Sequence, residues 1–256
     1  AMKITMNEKN IKYGRYDFKS TSNVRDLIEL ITSIKKDRVR MTISEGLKIR
    51  DIAINFEKFM HMNVEEFIST CYDQEFISSL GLNNISNLEG YLFPDTYIFL
   101  KTYTVKDVIA IMVKQFLFNY NENINGDSLE LSRDEIVILA SIIQGEAIYD
   151  DEMKTISSVY HNRLKKNMLL QADPTIQYIL PKVKKRILVK DTKINNPYNT
   201  YLYKGLPPGP INNPGLSAII AAAYPIETDY LYFVANNKGR HIFNKTFKDH
   251  IKSKKW

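Results

Sequence analysis

Apolar residues recur every three to four positions in several stretches, and each stretch predicts a helix with one buried face. The first covers 23–33, with Val24, Leu27, Ile28 and Ile31 on one side. The second runs from Ile49 to Phe59, with Ile49, Ile52, Ala53, Phe56 and Met60 inward. Shorter helices are predicted over 64–71 and 73–80, and a long one over 105–119 with Val108, Ile111, Met112, Phe116 and Leu117 inward. Ser132 followed by Glu135 is a capping-box signature, and Ile136, Leu139, Ala140, Ile143 and Ala147 then form one stripe. A last helix is predicted over 150–166, with Met153, Ile156, Val159, Tyr160 and Leu164 on its apolar face.

Period-two alternation is rarer. Val39 to Ile43 reads as a half-buried strand, followed by a turn at Ser44-Glu-Gly46. Tyr16 to Phe18, Ile187 to Val189 and Tyr230 to Val234 also read as extended. Together these elements predict an α+β fold. The polar stretch 81–87 is the expected boundary between a small unit, 14–85, and a larger mixed unit, 86–256. Five of the nine prolines lie between Pro197 and Pro214, which forbids helix or central strand there. That stretch also holds Tyr198, Tyr201, Tyr203, Leu206 and Ile211, so an ordered, packed loop is expected.

The composition, 44% hydrophobic and 25% charged over 256 residues, is that of an ordinary globular protein. No run approaches the roughly 18 apolar residues of a membrane span, and no signal peptide is visible. One cysteine, Cys71, permits no internal disulfide and reads as a buried or half-buried structural thiol. The spacing of Cys71, His61, His161, His241 and His250 matches no zinc pattern, so no metal is expected. The net charge is +6, and the densest basic run is Lys182-Val-Lys-Lys-Arg186. No nucleic-acid motif surrounds that run, which excludes nucleic acid as the expected partner. It reads either as a solvated face or as an attraction for anionic wall polymers or lipid headgroups.

Candidate chemistry concentrates in the second half. Glu146 falls at the flank of the stripe begun at Ile136, where a carboxyl can sit half in apolar surroundings and half in a cleft. Desolvation there would raise its pKa and suit it to general-acid work; a solvated helix-end residue is the plain alternative. Gln171, Asp173 and Thr175 alternate, so in an extended segment they would present three polar side chains on one side. Asp173 before Pro174-Thr175 could equally cap a helix. Tyr198-Asn-Thr200 combines an aromatic face with amide and hydroxyl groups, a set that suits an acetamido sugar. Asn162 and Arg163 lie on the helix after Glu146; Arg163 could pair with a carboxylate, structural or on a ligand.

Several blocks occur in a telling order. They are Thr42-Ile-Ser-Glu-Gly46, Leu88-Glu-Gly-Tyr-Leu-Phe-Pro-Asp-Thr-Tyr97, Ser132 to Ala147, Val159-Tyr-His-Asn-Arg-Leu164, Leu170-Gln-Ala-Asp-Pro-Thr175, Pro197 to Tyr201, Gly205 to Ile211, Asn213-Pro-Gly215 and Tyr230 to Val234. In this order they resemble the MltG (YceG-like) family of endolytic murein transglycosylases, from about Gly14 onward. The resemblance implies a LysM-like unit over 14–85 and a YceG-like catalytic unit over 86–256. It also implies cleavage of the MurNAc–GlcNAc bond within nascent glycan strands, giving 1,6-anhydro ends, with no cofactor.

In that family the second Glu of an E-x-E pair ending this helix is catalytic, and the register puts it on Glu146. Here the pair reads Gln144-Gly-Glu146, so the partner glutamate is replaced, and a helical glycine stands between. The implied substrate-binding residues are Asn162, Gln171, Asp173, Thr175, Tyr198, Asn199 and Thr200. The expected site is a groove between 171–175 and the 198–214 loop, with Glu146 at its floor. Two other readings stay open: a hydrolase pairing Glu146 with Asp173, and a non-catalytic wall-binding scaffold. The implied partners are peptidoglycan strands, with cell-wall synthases as further candidates. Family members carry an N-terminal membrane anchor and face the cell wall. Ala1-Met2 reads as a junction ahead of a removed segment, so such an anchor is expected to precede the chain as given.

Overall fold

A computed structural model of the protein describes residues 23–32, 38–125, 129–236 and 238–254. The extended stretch expected at 16–18 lies outside them. Ten helices and four strands occur among the described residues. The predicted helices are α1 (Val24–Thr32), α2 (Ile49–Met60), α3 (Val64–Tyr72), α4 (Gln74–Ser79), α5 (Val105–Asn123), α6 (Arg133–Glu146) and α7 (Asp150–Lys165). Helices α2, α5 and α7 turn their predicted apolar faces to the core. In α2, Ile49, Ile52, Ala53, Phe56 and Met60 are buried as their period requires. Ser132 caps α6 and Glu135 returns the bond to the Ser132 backbone, completing the capping box.

Strand β1 (Arg38–Thr42) pairs antiparallel with β2 (Thr96–Leu100), with Met41 opposite Tyr97. The two strands lie on opposite sides of the polar stretch 81–87 and share one continuous core. Phe56 sits in it, 5.1 Å from the Phe67 ring and 5.2 Å from Phe99. Cys71 is buried there, as expected.

Helix α6 is the axis of the second half. Every residue from Ile136 to Ile143 is buried, so it is enclosed all round rather than along the single expected stripe. Each fully buried Ile, Leu or Val contributes roughly 1.5–3 kcal/mol, which makes this helix a rigid mount for whatever its end carries. It is enclosed by α7 and by α9 (Leu216–Ala223), whose alanines permit close approach. A short helix, α8 (Asp173–Ile179), and a hairpin of β3 (Tyr232–Ala235) and β4 (His241–Asn244), followed by α10 (Phe247–Ser253), complete the fold. The strand expected at 187–189 is absent. Those residues form an exposed loop and turn ahead of a 3-10 turn, with Val189 76% exposed, so no sheet face buries their apolar side chains.

The 198–214 loop is ordered by specific contacts. The Asn213 backbone exchanges bonds with Gly46 and Leu47. Its amide donates to the Leu47 carbonyl and to Glu89 and accepts from the Leu92 N–H. Three distant segments thus meet at one side chain. The segment 89–95 is a turn, and the strand begins at Thr96. Gly90 takes φ +87° there, and a Cβ on it would stand 2.7 Å from Pro210 and from Val137.

Candidate active site

Glu146 is the last residue of α6, and the chain leaves the helix at once through Ala147 in an extended conformation. The end of a buried helix therefore delivers a half-buried carboxyl to a groove. Helix α7 presents Tyr160 and Arg163 towards it, three residues apart on one face. The Tyr160 hydroxyl donates a 2.9 Å hydrogen bond to Oε1 of Glu146. Tyr160 is itself buried, with Phe233 packed edge-on at 5.8 Å.

Burial pushes the Glu146 carboxyl up to about 7, and the nearby Asp173 charge adds to the rise. The Tyr160 hydroxyl, the Asp173 backbone N–H and the Arg163 guanidinium oppose it. The balance leaves a carboxyl that holds or releases a proton near neutrality, as a general acid and base requires.

Two cavities meet at this carboxyl. The larger, about 520 Å³, is lined by Glu146, Asp173, Gln171, Tyr201, Arg163 and residues of the hairpin and α10. The smaller, about 280 Å³, is lined by Glu146, Asp173, Pro174, Lys48, Tyr178 and Asn212. Because Glu146 and Asp173 line both, the groove continues on either side of the acid.

The segment 171–175 is not extended. Gln171 takes φ +49°, and Asp173, Pro174 and Thr175 open α8, with proline in its favoured first turn. This corrects the expectation of three side chains on one side. Gln171 and Asp173 do line the groove, but Thr175 is fully buried. Its hydroxyl meets the Ala172 carbonyl and the Thr200 hydroxyl. Nor does the Asp173 side chain cap α8; it accepts a 2.5 Å bond from the Tyr201 hydroxyl.

Asn199 and Thr200 are buried too. Asn199 donates to the carbonyls of Thr192 and Ile194, and Thr200 accepts from the Ala172 N–H. Tyr198 packs on Tyr178, their centroids 4.9 Å apart. These residues fasten the proline-rich loop to the 171–175 segment, and Tyr201 is the loop residue that reaches the groove. Asn162 lies elsewhere: its amide holds the Thr228 and Tyr230 carbonyls beside a separate cavity. The expected wall of 171–175 is present in part, and Tyr201, Ile211 and Asn212 line the cavities from the proline-rich loop. The larger cavity gains a further wall that sequence reasoning missed, formed by Tyr232 to Ala235, His241, Phe247, His250 and Lys254.

The two departures at the end of α6 have local explanations. A Cβ on Gly145 would stand 2.7 Å from the Pro174 ring, so glycine is what lets α8 pack against α6. Gln144 accepts a 2.9 Å bond from the Gly215 N–H and also bonds the Glu45 carboxylate. A glutamate at 144 would set two carboxylates against each other there.

Arg163 forms no ion pair among the described residues; it donates to the carbonyls of Leu169, Leu170 and Leu231. His241 is held by Glu152 at 3.2 Å. In the basic run, Lys184 pairs with Asp191 at 2.6 Å, while Lys182, Lys185 and Arg186 are exposed. No group of three His, Cys, Asp or Glu among the described residues converges as metal ligands would. No described helix is long and apolar enough to cross a membrane.

The chain is 38% identical over 232 residues to the endolytic murein transglycosylase of Bacillus subtilis, matching 84% of this chain and 64% of that protein. It is 28% identical over 278 aligned positions to the endolytic murein transglycosylase of Streptococcus pneumoniae serotype 2, covering 95% of this chain and 50% of that protein. The chain thus spans between half and two thirds of the length of these curated relatives. A crystal structure of a YceG-like protein from Listeria monocytogenes superposes with a TM-score of 0.75 at 34% identity, covering 96% of this chain and 86% of the other. The family model described as the YceG-like family matches residues 1–255, and the chain belongs to that family.

Proposed function

We propose that this protein is an endolytic lytic transglycosylase that cuts the MurNAc–GlcNAc bond inside peptidoglycan strands. The observation that carries the reading is Glu146: one carboxyl, raised to about 7, held by Tyr160 at the middle of a groove that continues on both sides. A groove open past the acid in both directions suits an internal cut. The names of the Bacillus and Streptococcus relatives support the same activity.

In the proposed reaction protonated Glu146 gives its proton to the glycosidic oxygen as the bond to the anomeric carbon breaks. The C6 hydroxyl of the same muramyl sugar attacks that carbon, and the Glu146 carboxylate takes the hydroxyl proton. The products are a free 4-hydroxyl and a 1,6-anhydro ring, with no water consumed and the acid restored. Gln171, Asp173 and Tyr201 are the proposed groove contacts; Thr175, Tyr198, Asn199 and Thr200 support them from behind.

The hydrolase reading survives as a competitor because Asp173 lines the same groove and its charge reaches Glu146. In that case water would attack with Asp173 as the second carboxylate. The same proposal includes a LysM-like unit over 14–85, a catalytic unit over 86–256, an N-terminal anchor, action on the outer side of the cell membrane, and cell-wall synthases as partners. The test is cleavage of purified strands by wild type and Glu146→Gln. A loss of about 10²–10⁴-fold is expected from removing the acid. Full activity in the variant would remove Glu146 from the mechanism.

A further inference from the structure

One wall of the larger cavity carries cationic and donor groups that the cleavage chemistry leaves unused. Arg163 is 7% exposed, yet no carboxylate pairs with it among the described residues. Its Nε and Nη1 are committed to backbone carbonyls, and no described residue accepts from Nη2. Nη2 therefore keeps its donors for an anion that enters the cavity.

His250 stands close by. Tyr232 links the two: the Arg163 guanidinium lies 5.3 Å from its ring centroid, and the His250 ring stacks on it at 5.3 Å and 27°. His250 is 7% exposed, and its Nδ1 is buried with no partner among the described residues. Lys254 lines the same cavity without a carboxylate partner among the described residues. Burial, then the charges of Lys254 and Arg163, hold His250 below its ordinary pKa, which shows that the three share one field. Glu146 and Asp173 occupy the same cavity, with Arg163 near enough to Glu146 to lower its pKa.

We propose that Arg163, His250 and Lys254 form a carboxylate subsite that takes a carboxylate of the peptide borne by the muramyl sugar of the bound strand. The carboxylate chemistry follows from the cavity alone; its source in the strand rests on the proposed function. Three carbonyls fix the Arg163 guanidinium, so its remaining Nη2 is preorganised to donate to a carboxylate. A peptide held there would set the register of the muramyl sugar over Glu146, so the enzyme would favour strands whose peptides carry a free carboxylate.

A binding arm and a turnover arm test this. In the first, Glu146→Gln protein labelled in its histidine rings is titrated with a muramyl peptide ending in carboxylate, with the same peptide amidated, and with inorganic phosphate. The His250 resonance is assigned by its loss in His250→Gln. The carboxylate form is expected to shift that resonance and to bind about tenfold more tightly than the amide, an advantage lost in Lys254→Gln. Equal binding of acid and amide, an undisturbed His250, or a phosphate affinity matching the peptide's would overturn the subsite.

In the second arm, wild type and Lys254→Gln are compared on strands with peptides intact and with peptides removed by an amidase. Lys254→Gln is expected to lower kcat/KM about tenfold more on intact strands than on bare ones. An equal loss on both would refute the peptide as the source. Wild type that cleaves neither strand would count against the proposed function, while the binding arm alone would still decide the subsite.

Discussion

The phenol of Tyr160 and the carboxyl of Glu146, fourteen residues apart on consecutive helices, are joined by a 2.9 Å hydrogen bond. This bond favours the charged carboxylate and orients it, so its removal has a defined sign. Cleavage that starts from protonated Glu146 should fall as pH rises through about 7. Tyr160→Phe should move that limb upward by about one pH unit and lower kcat about tenfold through lost orientation. A pH–rate profile with an unmoved limb would show that the phenol does not act on Glu146.

Glu146 should also leave a mark on stability. Its folded pKa, about 7, lies above the ordinary 4.5, so the native state binds the proton more tightly than the unfolded chain. Its stabilising contribution is complete below about 4.5 and is lost as pH rises to about 7. Glu146→Gln removes that loss. The variant should therefore gain in Tm over wild type as pH goes from 4.5 to 7, with the difference level above that. Thermal melts showing a constant difference across this range would contradict a desolvated Glu146.

Gly145 should resist substitution even though alanine is the better helix former. The propensity gain is ~1 kcal/mol, whereas forcing a Cβ to 2.7 Å from Pro174 overpacks the α6–α8 contact at about 1–3 kcal/mol. Gly145→Ala should be less stable by about 1 kcal/mol in urea unfolding. It should also lose activity, because α8 carries Asp173 beside Glu146. An alanine variant that is both more stable and fully active would show that the contact can relax freely.

Glu89 holds two segments together through its carboxyl. It sits at the start of α2, accepting from the Ile49 N–H and from the Asn213 amide, and burial pushes it up to about 8. Glu89→Ala would strand two buried donors, so a loss of about 3 kcal/mol is expected in equilibrium unfolding. A loss below about 1 kcal/mol would mean that water replaces the carboxyl at little cost.

The helices were legible in the sequence because one-sided burial writes a period into it. Where burial is all round, the period fades. Val137, Ile138 and Ile142 of α6 fill the faces that the stripe left open, and the alanine-rich α9 has no polar face to mark it. The place of Glu146 at the end of α6 was legible through its motif and register. Most of its surroundings were not. Thr175, Asn199 and Thr200 look like ligand groups in a polar loop, but a loop packed inside a protein must satisfy its own backbone, and these side chains do so. Tyr160 reads as core and Tyr201 as packing, since a buried ring carries no signal of what its hydroxyl meets. The hairpin wall depends on chain reversal near Gly239, with Arg163 bridging it to Leu169 and Leu170, and no local pattern encodes that long-range meeting.

The most direct test of the central claim is the chemistry of the new strand end. Strands are digested in ¹⁸O-labelled water and the products weighed by mass spectrometry. If Glu146 serves the C6 hydroxyl of the muramyl sugar, the new ends are 1,6-anhydro groups that contain no label. If Glu146 and Asp173 activate water, the ends are reducing sugars with one ¹⁸O per cut. Anhydro ends free of label are the expected result; stoichiometric label would contradict the transglycosylase and leave a hydrolase in its place.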